Sequence, residues 1–168
     1  MKLSRILLLT GILLGGLALM SHYKILKAEE TTSTIPQKTW YSIQEVAQLQ
    51  KDHPKKVIVD IYTDWCKWCQ VMDETTFADA TLLADLQKDF YLVKLNAETT
   101  TPIEFKGKTY QFVQGGRRGY HQLAAALLNG GLSYPSFVVL DEELNTIDVI
   151  KGYKEGKAFK GAIDKIVM

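Results

Sequence analysis

Val57-Ile58-Val59-Asp60-Ile61-Tyr62 is a nearly continuous run of β-branched and aromatic residues. A strand with one wet face would alternate apolar and polar positions. This one does not, and so it reads as a strand buried on both faces, the kind found in sheets covered by helices on two sides. That segment points to an α/β fold rather than a helical bundle or a one-sided sheet. Asp60 is the anomaly within it, a carboxylate between Val59 and Ile61. Either it turns outward at a sheet edge, or it is buried with its ionised form disfavoured by desolvation, and its apolar neighbours favour burial.

The flanking sequence supplies the other elements. Ser42-Ile43-Gln44-Glu45 is a capping box that starts a helix running to about Lys51, where His53-Pro54 stops it. After the strand, helix-compatible sequence runs to about Asp89 in two pieces broken around Thr75-Thr76. Phe90 to Leu95 reads as a second strand. Ile103-Glu104-Phe105 and Thr109 to Phe112 flank Lys106-Gly107-Lys108 as a small hairpin. Tyr120 to Leu128 reads as a helix closed by Asn129-Gly130-Gly131. Ser136 to Leu140 and Thr146 to Lys151 read as two strands, and Glu155 to Val167 as the last helix. Strand and helix alternate at first, which requires a parallel crossover, and the chain finishes with an antiparallel pair and a covering helix.

Charge is unevenly placed. The 168 residues hold 20 Lys+Arg and 19 Asp+Glu. Four of the basic residues, Lys2, Arg5, Lys24 and Lys27, fall in the first 28 positions, which contain no acid. Beyond them 16 basic and 19 acidic residues leave a net charge of −3, with no basic run. Such a body lacks the Lys/Arg face that nucleic acid requires, so no nucleic-acid partner is expected. At 46% hydrophobic and 23% charged, the composition is that of a packed protein and not of a disordered one.

The N-terminus has a short positive region and then an apolar run from Ile6 to Met20, shorter than the roughly 20 residues of a membrane span. Residues 1–28 read as a signal peptide. Ala18-Leu19-Met20 and Leu26-Lys27-Ala28 are both poor cleavage sites, so an uncleaved N-terminal membrane anchor is the alternative. No cysteine follows the run, which excludes a lipid-modified terminus. Residues 29–39 are polar, include Pro36 and read as a flexible linker, leaving 40–168 as the folded domain.

The two cysteines, Cys66 and Cys69, are the only ones. Their C-x-x-C spacing closes too small a loop to stabilise the chain much by entropy, so it argues against a structural staple. It suits reversible redox chemistry. At the start of a helix the first sulfur lies among free backbone amides and at the positive end of the helix dipole, both of which favour the thiolate. Cys66 is then the exposed attacking thiol, and Cys69, one turn inward, the shielded resolving one. Structural zinc would want four ligands, and the histidines are only His22, His53 and His121. A copper-binding carrier or metal-site assembly chaperone, using both thiolates and a histidine such as His121, is the alternative use of the pair.

Val57 to Cys69, with its Asp-x-Tyr-x-Asp-Trp-Cys-x-x-Cys pattern, resembles the active-site segment of the thioredoxin superfamily. It is most similar to the C-terminal thioredoxin-like domain of DsbD-type thiol–disulfide interchange proteins, which also carry a downstream Thr-Phe, here Thr76-Phe77. Tyr134-Pro135-Ser136 precedes a strand as the family's cis-proline does, and Gly152 follows the last strand as a family glycine does. The likeness spans about residues 40–168.

It implies a thioredoxin-like fold, a central mixed sheet flanked by helices with an inserted hairpin, and a redox-active disulfide between Cys66 and Cys69. It implies that Asp60 lies beneath the pair and handles the proton of Cys69. Pro135 is expected opposite the cysteines, with the Tyr134 backbone presented to an extended substrate and Trp65 and Trp68 flanking the thiols as substrate-binding residues. The implied activity is that of an exported disulfide oxidoreductase without a cofactor, acting on disulfide-containing proteins, with the reductase direction resting on the resemblance alone. DsbD-type proteins fuse this domain to a multi-span membrane protein, whereas this chain has at most one span, so a separate membrane electron donor is implied. Two further departures are Lys67-Trp68 between the cysteines and a long segment from Thr99 to Gly119, whose Gly115-Gly116-Arg117-Arg118-Gly119 reads as a solvated loop.

Overall fold

The computed structural model describes residues 39–115 and 117–168. The expected signal or anchor segment and most of the expected linker therefore lie outside the described residues. In chain order the elements are α1 (Ile43–Leu49), β1 (Lys56–Tyr62), α2 (Lys67–Glu74), a 3-10 turn (Thr76–Ala78), α3 (Ala80–Asp89), β2 (Phe90–Asn96), β3 (Ile103–Phe105), β4 (Lys108–Tyr110), β5 (Phe112–Val113), β6 (Tyr120–His121), α4 (Gln122–Leu127), β7 (Ser136–Leu140), β8 (Thr146–Lys151) and α5 (Gly156–Val167). None of the described helices is long and apolar enough to cross a membrane.

The main sheet has the order β2-β1-β7-β8. β1 is parallel to β2 and antiparallel to β7, and β7 is antiparallel to β8. β1 is thus internal, which explains its continuous burial from Val57 to Ile61. Side-chain alternation divides the core in two. Val57, Val59 and Ile61 pack with α1, α4, Ile103 and Phe105 on one face, while Ile58, Phe137 and Val139 pack with Met72, Phe77, Leu86, Phe159 and Ile163 on the other. Phe77, Phe137 and Phe159 meet pairwise with centroids 4.8–5.6 Å apart, within the range that favours aromatic pairs.

Local chemistry accounts for most boundaries. The capping box forms as expected: the Ser42 amide donates to Glu45 Oε2 at 2.7 Å and the Glu45 amide to Ser42 Oγ at 3.2 Å. Asp79 caps α3 by accepting from the Thr81 and Leu82 amides. Lys106 and Gly107 take positive φ at the two-residue turn between β3 and β4, as that hairpin type needs.

One expected helix start is corrected. Tyr120 and His121 do not begin the helix but pair as β6 with β5, Phe112 opposite His121 and Val113 opposite Tyr120. His121 then caps α4, its Nδ1 accepting from the Leu123 amide at 3.2 Å. The apolar spacing of Tyr120, Leu123, Ala124 and Leu127 fits a helix from Tyr120, but the His121 amide donates to the Ala97 carbonyl at 2.6 Å and the Gln122 amide to the Gln111 carbonyl at 2.9 Å, partners that lie outside the helix. The same pairing takes Phe112 out of the hairpin, where β4 stops at Tyr110.

Candidate active site

β1 and β7 run antiparallel with Ile61 opposite Ser136, so the end of β1 and the start of β7 share one edge of the sheet. The segment after β1 carries the cysteines, and the segment before β7 carries Tyr134 and Pro135. Two stretches about seventy residues apart in sequence converge there by register alone.

Thr63 to Trp65 turn the chain from strand to helix, the Cys66 amide donating to the Thr63 carbonyl at 3.1 Å. Cys66 is the N-cap of α2, and its Sγ accepts from the Cys69 amide at 3.1 Å. The cysteines form a disulfide. Their relative exposures are 5% and 4%, so the expected contrast between an open Cys66 and a shielded Cys69 is not present in the disulfide form. The closed ring folds both sulfurs against the helix start.

The peptide bond before Pro135 is cis. The Pro135 carbonyl accepts from the Gly152 amide at 2.9 Å, where Gly152 takes a φ of +79°. Among the described residues neither the amide nor the carbonyl of Tyr134 has a hydrogen-bond partner. Six large apolar side chains are exposed among the described residues, and three of them, Trp65, Trp68 and Tyr153, ring this site. Trp65 meets Tyr134 edge to face at 5.9 Å, and Trp68 lies against Tyr153 at 5.1 Å. Trp65 is 48% exposed and Trp68 57%.

Asp60 does not turn outward; only 2% of it is exposed. By strand alternation it shares the face of Ile58, which packs with Met72 of α2, so the carboxylate lies on the sheet face that α2 covers. Lys94, its register partner on β2, reaches Asp60 Oδ2 at 2.9 Å and also pairs with Asp73 of α2. The Lys94 ammonium also lies over the rings of Trp40 and Tyr62 at 5.1 and 5.0 Å. Asp60 Oδ1 has no partner among the described residues. Burial pushes the Asp60 carboxyl up to about 6, with Lys94 opposing and Asp73 reinforcing the rise. Burial alone would lower the Lys94 ammonium, but Asp60 and Asp73 outweigh it and hold its pKa above the ordinary lysine value.

Lys94, Asp73, Glu98, Arg118 and Tyr153 were not singled out by sequence reasoning. A signal existed for Lys94: it interrupts the apolar Phe90 to Leu95 run as Asp60 interrupts its own, and parallel pairing places the two anomalies side by side. Asp73 and Arg118 reach the site only through tertiary placement. No three His, Cys, Asp or Glu side chains among the described residues gather closely enough to hold a metal ion. His121, the histidine considered for copper, is fully buried with its Nδ1 engaged in the α4 cap.

The thioredoxin-like domain family matches residues 43–166. The chain belongs to the thioredoxin-like family. Its C-x-x-C disulfide and fold are those of a thiol–disulfide oxidoreductase of that family. A thioredoxin from Thermus thermophilus superposes with a TM-score of 0.56 at 18% identity, over 77% of this chain and 86% of that one. The DsbH oxidoreductase superposes with 0.55 at 17% identity, over 86% and 97%. The oxidised C-terminal domain of Neisseria meningitidis DsbD gives 0.48 at 20% identity, over 73% and 90%. At these identities the likeness to the first two speaks to the thioredoxin-like fold alone. No curated protein sequence matches the chain.

Proposed function

We propose that this thioredoxin-like protein is an exported disulfide reductase acting on disulfide-containing extracytoplasmic proteins. In this reading residues 1–28 direct export, either as a cleaved signal peptide or as a retained anchor, residues 29–39 tether the domain, and the folded unit is 40–168. The observation that carries the chemistry is a C-x-x-C pair at a helix start, with a buried and half-satisfied carboxylate on the sheet face under that helix. The reductase direction is taken from the resemblance to the interchange proteins.

The reduced dithiol is the working form. The amides at the start of α2 stabilise the Cys66 thiolate, which attacks one sulfur of the substrate disulfide. A Cys66–substrate bond forms, and the other substrate sulfur leaves as a thiolate and takes a proton from water. Asp60 accepts the proton of Cys69, whose thiolate attacks Cys66 Sγ. The intramolecular disulfide re-forms and the second substrate thiol is released. Two electrons have passed to the substrate, and a separate membrane-bound dithiol donor restores Cys66 and Cys69. An extended substrate pairs with the free amide and carbonyl of Tyr134 beside Pro135, as an added strand would, while Trp65 and Trp68 give it apolar contact.

Replacing Cys69 with Ser removes the resolving sulfur. The C69S protein accumulates mixed disulfides through Cys66, detectable as reducible adducts by non-reducing electrophoresis and mass spectrometry. If C69S traps nothing beyond what C66S traps, covalent exchange is the wrong mechanism.

A further inference from the structure

The segment between β2 and α4 is tied to the active-site edge at both ends. The Ala97 amide donates to the Tyr62 carbonyl at the end of β1, at 2.8 Å, and the His121 amide donates to the Ala97 carbonyl at 2.6 Å. Glu98, next to Ala97, accepts the Trp65 indole N–H at 2.9 Å. The Val113–Tyr120 pair closes the loop that carries Arg118. Gly119 lets that loop return close to β5, because a Cβ there would stand 2.0 Å from Phe112 Cζ and 2.6 Å from the Val113 carbonyl oxygen. The outcome is an exposed Arg118 whose guanidinium lies 4.7 Å from the centre of the Trp65 ring, on the residue next to Cys66.

A guanidinium over an indole face is held there by cation–π attraction, which engages the charge and uses none of its five N–H donors. Among the described residues no carboxylate comes within ion-pair distance of Arg118. Of the acids nearby, Glu98 is engaged by Trp65 and the Asp64 carboxylate accepts from the side-chain Nδ2 of Asn96. Arg117, next to Arg118 in sequence, and Lys67, next to Cys66, are also exposed. A planar fork of five donors is suited to a carboxylate.

We propose that Arg118 is a specificity determinant which selects substrates carrying an acidic residue close to the disulfide cysteine, on the strand that lies along Trp65 and Tyr134. This inference deepens the reductase reading and rests on it. The carboxylate of a docked Asp or Glu receives the Arg118 N–H groups while the neighbouring substrate sulfur faces Cys66. The long insertion is thereby a recognition element, built so that its arginine stands over the tryptophan of the W-C-x-x-C motif.

The test uses three disulfide-linked peptides, alike except for Glu, Gln or Lys beside the cysteine, and the second-order rate constant of the reduced protein with each. For an exposed pair the expected preference for Glu over Lys is about fivefold, shrinking as salt is raised. Arg118→Gln should abolish the preference with the Gln peptide changed by less than about twofold, Arg118→Lys should retain part of it, and Arg118→Glu should invert it. Equal rates for all three peptides with the parent, or an unchanged preference in Arg118→Glu, overturn the proposal and leave the reductase reading intact. Uniform slowing of all three peptides by every variant shows a merely structural arginine and also overturns it. Failure of the parent to reduce any peptide overturns both readings.

Discussion

A buried aspartate bonded to a buried-stem lysine is the residue-scale centre of this protein. Because the folded Asp60 titrates near 6, against an ordinary value near 3.8, its effect on stability has a definite sign. The contribution is fully present below pH about 4 and is lost as pH rises through about 6, amounting to about 3 kcal/mol by neutrality. Asp60→Asn removes that slope. Urea unfolding of the disulfide form at pH 4.5 and 7.5 should show the variant gaining on the parent by about 2 kcal/mol between the two; a pH-independent difference would mean that Asp60 does not carry this titration. Lys94→Met works the other way. It leaves the carboxylate uncompensated, and should destabilise by about 3 kcal/mol at pH 7.5, with much less loss at pH 4.5, where Asp60 holds its proton. In single-turnover reduction of a model disulfide, the parent's rate should rise through pH about 6. Asp60→Asn should be slower above that pH and show no such inflection, whereas coincident profiles would remove Asp60 from the proton path.

At the scale of elements, what was legible in the sequence was whatever local pattern determines. Continuous apolar runs marked β1, β2 and β7, the Ser42/Glu45 box marked the start of α1, and the Lys106-Gly107 turn marked the hairpin. Placement of the cysteines at the start of α2 followed from the same logic. The start of α4 was not legible, because Tyr120-His121 fits an apolar helical stripe until Phe112-Val113 is available to pair with it. Nor was the approach of Arg118 to Trp65, which depends on the loop return at Gly119. That return yields a prediction of its own. Gly119→Ala places a methyl group against the Val113 carbonyl, which cannot swing away as a side chain can. It should cost about 1–3 kcal/mol in urea unfolding and alter Trp65 fluorescence by displacing Arg118. A fully stable variant with unchanged emission would show that the loop does not need this close approach.

For the whole molecule, sheet order brings the chemistry together. Antiparallel β1 and β7 deliver the cysteines and the Tyr134-Pro135 turn to one edge, parallel β1 and β2 set Asp60 beside Lys94, and the insertion returns to that edge at Ala97 and His121. In the disulfide form both sulfurs are nearly buried, so any difference in their reactivity must emerge on reduction. Brief alkylation of the reduced protein near neutral pH should label Cys66 first, and preferential labelling of Cys69 would reverse the assigned roles. The direction of electron flow is the central claim, and the reduction potential of the Cys66/Cys69 couple tests it most directly. Equilibration of the protein against thiol–disulfide buffers of defined potential, with the oxidised fraction read by alkylation and mass spectrometry, should place the couple near about −270 mV, as for a thioredoxin-type reductase. A value near about −120 mV, that of a strong oxidant, would contradict the account.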